Sequence, residues 1–348
     1  DENVVLPTEA EAIEMLAAVK NEEIEAPVEE TIRENLVEIA PKAGKIKKTT
    51  YNESLGVTEW TLSNGVRVVV KPTTFKQDEI LFYAFSQGGR SMVATADLPS
   101  AVLATDVIEL GGLADMSATD LQKALTGKRV SVSPSINAYS ESLSGSSTIK
   151  DLETLLQLNY LYFTAPRRDE ESYQTLMSIL DSQLANRDNN PKVAFSDSIQ
   201  MMVNDYSDRT IIVDKALLEK VSLDKALEIY KARFANPADF IFFFVGNVDP
   251  TDEVFQSQVC TWLGGMKSSK KFETAKDDKV RVIKGLQKNM FTRKMETKTA
   301  SNRIQYTSYN MPYTLANNLN MEMIGRILST RYLESIRERE GGTYGVGC

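Results

Sequence analysis

Histidine is absent from all 348 residues. The absence excludes Ser-His-Asp and Cys-His nucleophilic centres, imidazole general acid–base chemistry and every zinc site that needs an imidazole ligand. Cysteine is nearly absent too. Cys260 and Cys348 make no disulfide framework, and two thiols cannot supply a four-thiolate metal site. In any hydrolysis this chain is therefore an accessory. No apolar run is long enough to cross a bilayer, and no signal peptide opens the chain. Positive charge is outweighed, 40 Lys and Arg against 48 Asp and Glu for a net charge of −8. That balance offers no electrostatic footprint for nucleic acid or an anionic membrane.

What is present is an ordinary globular composition, 42% hydrophobic and 25% charged. The length fits about two or three domains and a sizeable core. Residues 1–45 read as a helical connector. Thr8 and Glu11 have capping-box spacing ahead of the narrow apolar face Ile13, Leu16, Val19. A second short helix is expected through Val28, Ile32, Leu36 and Ile39, stopped by Pro41 and Gly44. Residues 46–268 read as one compact domain. Asn64-Gly65 between two β-rich arms predicts a hairpin, and Glu79–Ser86 alternates as a strand. A helix is expected over Pro99–Leu110, and a shorter one capped by Ser117 and Asp120. Val130–Ile136 and Tyr139–Thr148 read as an antiparallel pair. Helices then follow at Asp151–Thr164, Asp169–Asn186, Pro191–Val203 and Ser222–Phe234. Phe240–Val245, apolar on both sides, is expected to be a central strand, and a helix carrying Phe255, Val259, Trp262 and Leu263 closes the domain. This order gives an α+β fold, a mainly antiparallel sheet with helices packed on one face.

The charged stretch Lys267–Lys279 supplies a linker at 269–279. Residues 280–348 then repeat the order of the first domain's opening. Strands are expected around Val280–Ile283, Met290–Met295 and Arg303–Asn310, followed by a long helix from about Leu315. This reads as the first part of a second, related domain. The chain does not begin with Met and ends within an expected strand, so it reads as a portion of something longer. At its close, Gly341-Gly342 ends the helix, and Thr343, Tyr344 and Val346 favour an extended chain. Arg337 in the last helical turn and Tyr344 beyond the glycines are both hydrogen-bond donors that such a corner could aim at one place. The plainer reading makes Arg337 a charge at a helix C-terminus and Tyr344 a half-buried sheet residue.

Several of these residues resemble one family. Thr61–Val70, the Gly88-Gly89-Arg90 turn, the strand ending at Gly246-Asn247-Val248-Asp249, and Arg337 seven residues before Tyr344 are similar to the pitrilysin/insulinase zinc peptidases of bacterial type. The resemblance implies the LuxS/mitochondrial-processing-peptidase-like metallohydrolase fold and a protein of two homologous halves closing around a peptide. The family's His-x-x-Glu-His motif falls in the helix matched here by Pro99–Leu110. That helix has no histidine, and only Asp106 and Glu109 as oxygen donors, a pair more typical of a solvated face than of a metal site. The resemblance thus implies the C-terminal, non-zinc half, with no cofactor or metal of its own. Zinc would come through an N-terminal half of the same protein, which would be its partner along with the peptide substrate. It further implies that Tyr344 helps hold the substrate carbonyl and its oxyanion, that Arg337 helps fix the peptide, and that the parent is periplasmic or in the cell envelope. The alternative within the same family is a non-hydrolytic scaffold or peptide-binding protein.

Overall fold

The computed structural model describes residues 7–20, 33, 35–294, 299–309 and 311–348. They fall into two compact units. The large one ends at Val280 and is interrupted by Ser198–Tyr206, which joins Arg281–Cys348 in the small one.

In the large unit the first helix, α1 (Glu9–Lys20), carries the expected capping box, with the Glu11 carboxylate accepting from the Thr8 N–H at 2.7 Å. Its apolar residues Ile13, Leu16 and Val19 are exposed. Of the second expected connector helix, Val28 and Ile32 lie outside the described residues. Leu36 is not helical; it is a buried anchor whose N–H donates to Gln157 Oε1 at 2.8 Å.

The strands are β1 (Ile46–Asn52), β2 (Val57–Leu62), β3 (Arg67–Pro72), β4 (Ile80–Gln87), β5 (Val130–Ile136), β6 (Ser140–Ser147) and β7 (Ile241–Gly246). They form one seven-stranded sheet in the order β1-β2-β3-β7-β4-β6-β5. Every pairing is antiparallel except β3 with β7. The Phe-rich strand is therefore interior, as its double-sided apolar sequence requires. The Asn64-Gly65 turn joins β2 to β3. Asn64 also donates from Nδ2 to Leu263 O at 2.8 Å and Met266 O at 3.0 Å, tying the hairpin to the far end of the domain.

Helices α2 (Leu98–Val102), α3 (Ala104–Gly111), α4 (Ala118–Ala124), α5 (Leu152–Thr164), α6 (Glu170–Leu184), α7 (Pro191–Val203), α8 (Lys215–Leu218), α9 (Leu223–Arg233) and α10 (Glu253–Trp262) complete the order up to Val280. The single helix expected over Pro99–Leu110 is two. Leu103 leaves helical dihedrals (φ −99°, ψ 4°) and is buried, so packing rather than propensity sets the break. The core lies on one face of the sheet, where Trp60, Val68, Val70, Phe82, Phe242 and Phe244 meet Leu155, Tyr230, Phe255 and Val259. The cap of α4 forms as expected: Ser117 Oγ accepts from the Asp120 N–H at 3.1 Å and donates to Asp120 Oδ2 at 2.6 Å. Ser117→Ala should cost about 1 kcal/mol, read as a fall in urea midpoint at constant m-value.

In the small unit α11 (Leu315–Tyr332) is capped by Thr314, whose hydroxyl accepts from the Asn317 N–H. None of the three expected strands forms among the described residues of 281–309; Met295 and Asn310 lie outside them. A strand is stabilised by cross-strand neighbours and a covered face. Here Ile304 and Tyr306 alternate with the right period but stand in solvent, with nothing to pack on. The segment is held instead by single bonds, such as Tyr309 Oη to Ile283 O at 2.6 Å.

Candidate functional site

Arg337 lies in Leu333–Arg339, a π-helical continuation of α11. Such i→i+5 turns are uncommon and recur at functional sites, because they shift side chains relative to the preceding helix. The π geometry was not legible in the sequence, since Leu-Glu-Ser-Ile-Arg-Glu-Arg is a good α-helical string. The guanidinium is half-exposed and pairs with its neighbour Glu338 at 3.7 Å. Gly341 then takes φ +60°, its N–H donating to Arg337 O at 3.1 Å while the Gly342 N–H donates to Ile336 O at 3.0 Å. These two bonds close the helix end. Beyond them no strand begins. The chain reverses and returns along α11, where Cys348 N–H donates to Ser329 Oγ at 2.8 Å and Ser329 Oγ donates to Cys348 O at 3.0 Å. Tyr344, at the outer bend of this return, is 100% exposed, and its hydroxyl has no partner among the described residues. The two candidate residues are thus both open to solvent, separated by the glycine reversal, and neither is committed to packing.

Asp106 and Glu109 lie on α3. Burial raises both carboxyls above their ordinary range. At Glu109 a hydrogen bond with Ser133 opposes the rise and the Asp106 charge adds to it. No third donor joins them: among the described residues no group of three His, Cys, Asp or Glu side chains could hold a metal ion. This donor set does not fit zinc.

A further feature was not expected from the sequence. Helices cover a single face of the sheet, which leaves the alternate residues of β4 and β7 uncovered. Leu81 is 50% exposed and Tyr83 42% exposed, with Phe85, Ile241, Phe243 and Val245 half-buried around them. Tyr83 stacks on Phe85 and leans on Phe243, each with centroids 6.4 Å apart. The signal was present in Glu79–Ser86, whose outward set Leu81, Tyr83, Phe85 is as apolar as its inward set. A one-sided antiparallel sheet ordinarily turns polar residues to water.

Residues 220–348 match the family described as the peptidase M16 inactive domain. Over those residues the chain is similar to that inactive domain. Its relatives include an Arabidopsis thaliana protein named "Zinc protease PQQL-like", 31% identical over 242 residues, which are 68% of this chain and 22% of that protein. An Escherichia coli (strain K12) protein named "Probable zinc protease PqqL" is 23% identical over 313 residues, 89% of this chain and 33% of the relative. The chain therefore spans a third or less of the curated relatives it matches. In fold it is similar to the crystal structure of the periplasmic protease PqqL from Escherichia coli, with TM-score 0.72 at 20% identity over 98% of this chain and 37% of that one. Helix α3, which lies outside the matched residues, carries no histidine, and no described helix is long and apolar enough to cross a membrane.

Proposed function

We propose that this chain is the non-catalytic half of a zinc-dependent endopeptidase, partnered by a zinc-bearing half of the same protein. The observation that carries the reading is the match of residues 220–348 to an inactive M16 domain in a chain whose α3 has no metal donors beyond one carboxylate pair. Its contribution is to bind and position peptide. The uncovered aromatic strip of the sheet is suited to the apolar side chains of an unfolded segment, because exposed apolar surface of this kind marks interaction sites. Arg337 supplies a planar cation for peptide carbonyl or carboxylate groups, and the unpartnered Tyr344 hydroxyl a donor for the oxyanion that develops as the scissile carbonyl is attacked. Zinc, held by the partner half, supplies Lewis-acid chemistry to that carbonyl. The parent acts in the periplasm or cell envelope, a placement supported by the E. coli protease of similar fold, which is periplasmic.

Purified alone and washed with chelator, this chain should retain no stoichiometric zinc and cleave no peptide. Rejoined to its zinc-bearing half, it should restore cleavage. Metal analysis and a fluorogenic peptide assay check both arms. One tightly held zinc per isolated chain, or cleavage by the chain alone, would sink the assignment to a non-catalytic half.

A further inference from the structure

The stretch Ser268–Asp278 has neither helix nor strand, yet it is bonded to the large unit along its whole length. The Ser269 N–H donates to Asn236 Oδ1 at 2.9 Å, and Asn236 Nδ2 returns a bond to Lys271 O at 2.8 Å. The Glu273 N–H donates to the Asp239 carboxylate at 3.0 Å, the Lys276 N–H to Ser91 Oγ at 2.9 Å, and Tyr139 Oη to Asp278 Oδ1 at 2.9 Å. At the middle is an ion pair, Arg233 Nη1 to Glu273 Oε2 at 2.6 Å, with the Arg233 side chain only 8% exposed.

A second carboxylate waits beside that guanidinium. Glu141 on β6 is 1% exposed and accepts from the Gly89 N–H at 2.6 Å. Gly88, at φ +144°, lies between the two. A Cβ built there would be 2.7 Å from Arg233 Nη1 and 3.3 Å from each Glu141 oxygen. Cation and buried carboxylate are therefore parted only by the space a glycine leaves, while the hydrogen bond of Arg233 goes to Glu273.

We propose that Ser268–Asp278 is a releasable strap, latched by Arg233, which exchanges its carboxylate partner between Glu273 on the strap and Glu141 in the sheet, so that docking takes up one proton on Glu141. With the strap docked, Glu141 is a carboxylate deprived of water whose cation is engaged elsewhere, and a proton is the cheapest neutraliser. With the strap released, Arg233 turns to Glu141, which gives the proton back to solvent.

Around Glu141, burial prevails over the groups that oppose it. Burial, the largest influence, pushes its carboxyl up to about 7; the Gly89 N–H, the Arg233 charge and the Ser86 hydroxyl of β4 oppose the rise, and Glu273 adds to it. Asp239, beside Arg233 and Glu273, is itself raised by burial and by the Glu273 charge, with the Glu273 N–H, Arg233 and Arg67 opposing. Arg90, the remaining cation of that turn, is held by the Ile136 carbonyl. The docked state thus binds more protons than the released one. Docking is strongest below the ordinary glutamate range and is lost as pH rises through about 7, by up to about tenfold per pH unit for one proton.

The test is amide hydrogen exchange of the full chain from about pH 4.5 to about pH 8, a range that spans the ordinary and the raised Glu141 values, each rate divided by its intrinsic value. Protection at Glu273 and Lys276 should fall by up to about tenfold per unit from the ordinary glutamate range up to about pH 7 and level off above it, while protection on β7 stays level. Glu141→Gln, neutral at every pH, should leave strap protection high and flat. Glu273→Gln should lower strap protection at every pH and bring the Glu141 carboxyl resonance down in titration, since Arg233 is then free for it. A flat wild-type profile, a retained slope in Glu141→Gln, or an unmoved Glu141 titration in Glu273→Gln would each overturn the latch. Because Glu273 is on the strap, that last variant decides even where Glu141→Gln does not fold.

Discussion

On the proposed function, in the protein rejoined to its zinc-bearing half, Tyr344→Phe should lower kcat by about 10²–10³-fold and leave the denaturation midpoint where it was. Loss of one donor to a developing oxyanion raises the barrier by about 2.7–4 kcal/mol in sites of this type. Folding has nothing comparable to lose, because the ring is 100% exposed and its hydroxyl bonds to nothing among the described residues. The separation of rate from stability is what makes the variant informative. Arg337→Lys keeps the charge but loses the planar fork, so it should lower kcat/KM as well if the residue grips peptide groups. It pairs with the flanking Glu338 at 3.7 Å, an exposed pair of small consequence for stability. Unchanged rates in both variants would reduce Arg337 to a helix-end cation and Tyr344 to a surface residue, and would move the parent's chemistry wholly into the other half.

Phe244→Ala should destabilise the large unit by about 3–5 kcal/mol, the range for emptying a buried aromatic site. The ring is 0% exposed, with Phe82 and Phe255 centroids at 5.3 and 5.4 Å. Phe243, one residue earlier, points to the uncovered face. There the same truncation removes few buried contacts, so Phe243→Ala should cost well under half as much by urea melt. On the proposed function it should instead weaken binding of an apolar peptide, read by fluorescence anisotropy. Equal losses of stability at the two positions would mean that the outer face is covered after all, and the peptide-binding reading of it would go.

The large unit was legible because its signals are local and mutually consistent. Asn64-Gly65 fixed one hairpin, Ser117 and Asp120 one helix start, and the double-sided Phe240–Val245 its own place inside the sheet. Strand β1 was missed, since Ile-Lys-Lys-Thr-Thr-Tyr-Asn has no apolar alternation. As an edge strand it needs none, and its lysines are what edge strands use to discourage further pairing. The break at Leu103 left no trace in a run of good helix formers, because a buried side chain decides it. Arg303–Tyr309 shows the converse, where correct alternation met no partner and stayed unpaired. At the candidate site, Arg337, the glycine stop and Tyr344 were all visible in the sequence. A strand was expected after the glycines, where the chain instead folds back onto α11. The π-helical turn around Arg337 and the aromatic strip on the sheet are packing outcomes, which spacing alone does not report.

The insertion of β7 between β3 and β4 sets an order of events for folding. β3 and β4 follow one another closely in the chain but are not neighbours in the sheet; the strand that joins them begins at Ile241. Until that segment has been synthesised, a nascent chain carries a β1-β2-β3 meander and a β4-β6-β5 group, in which β6 lies between β4 and β5, with two edges unsatisfied. Both edges carry residues that are buried in the finished core, Val68 and Val70 on one and Ile80, Phe82 and Ala84 on the other. Closing them requires one parallel pairing of large sequence separation, the class of contact that forms slowly because loop-closure entropy must be overcome first. The interval before β7 arrives is therefore the one in which unpaired apolar strand edges expose the chain to aggregation.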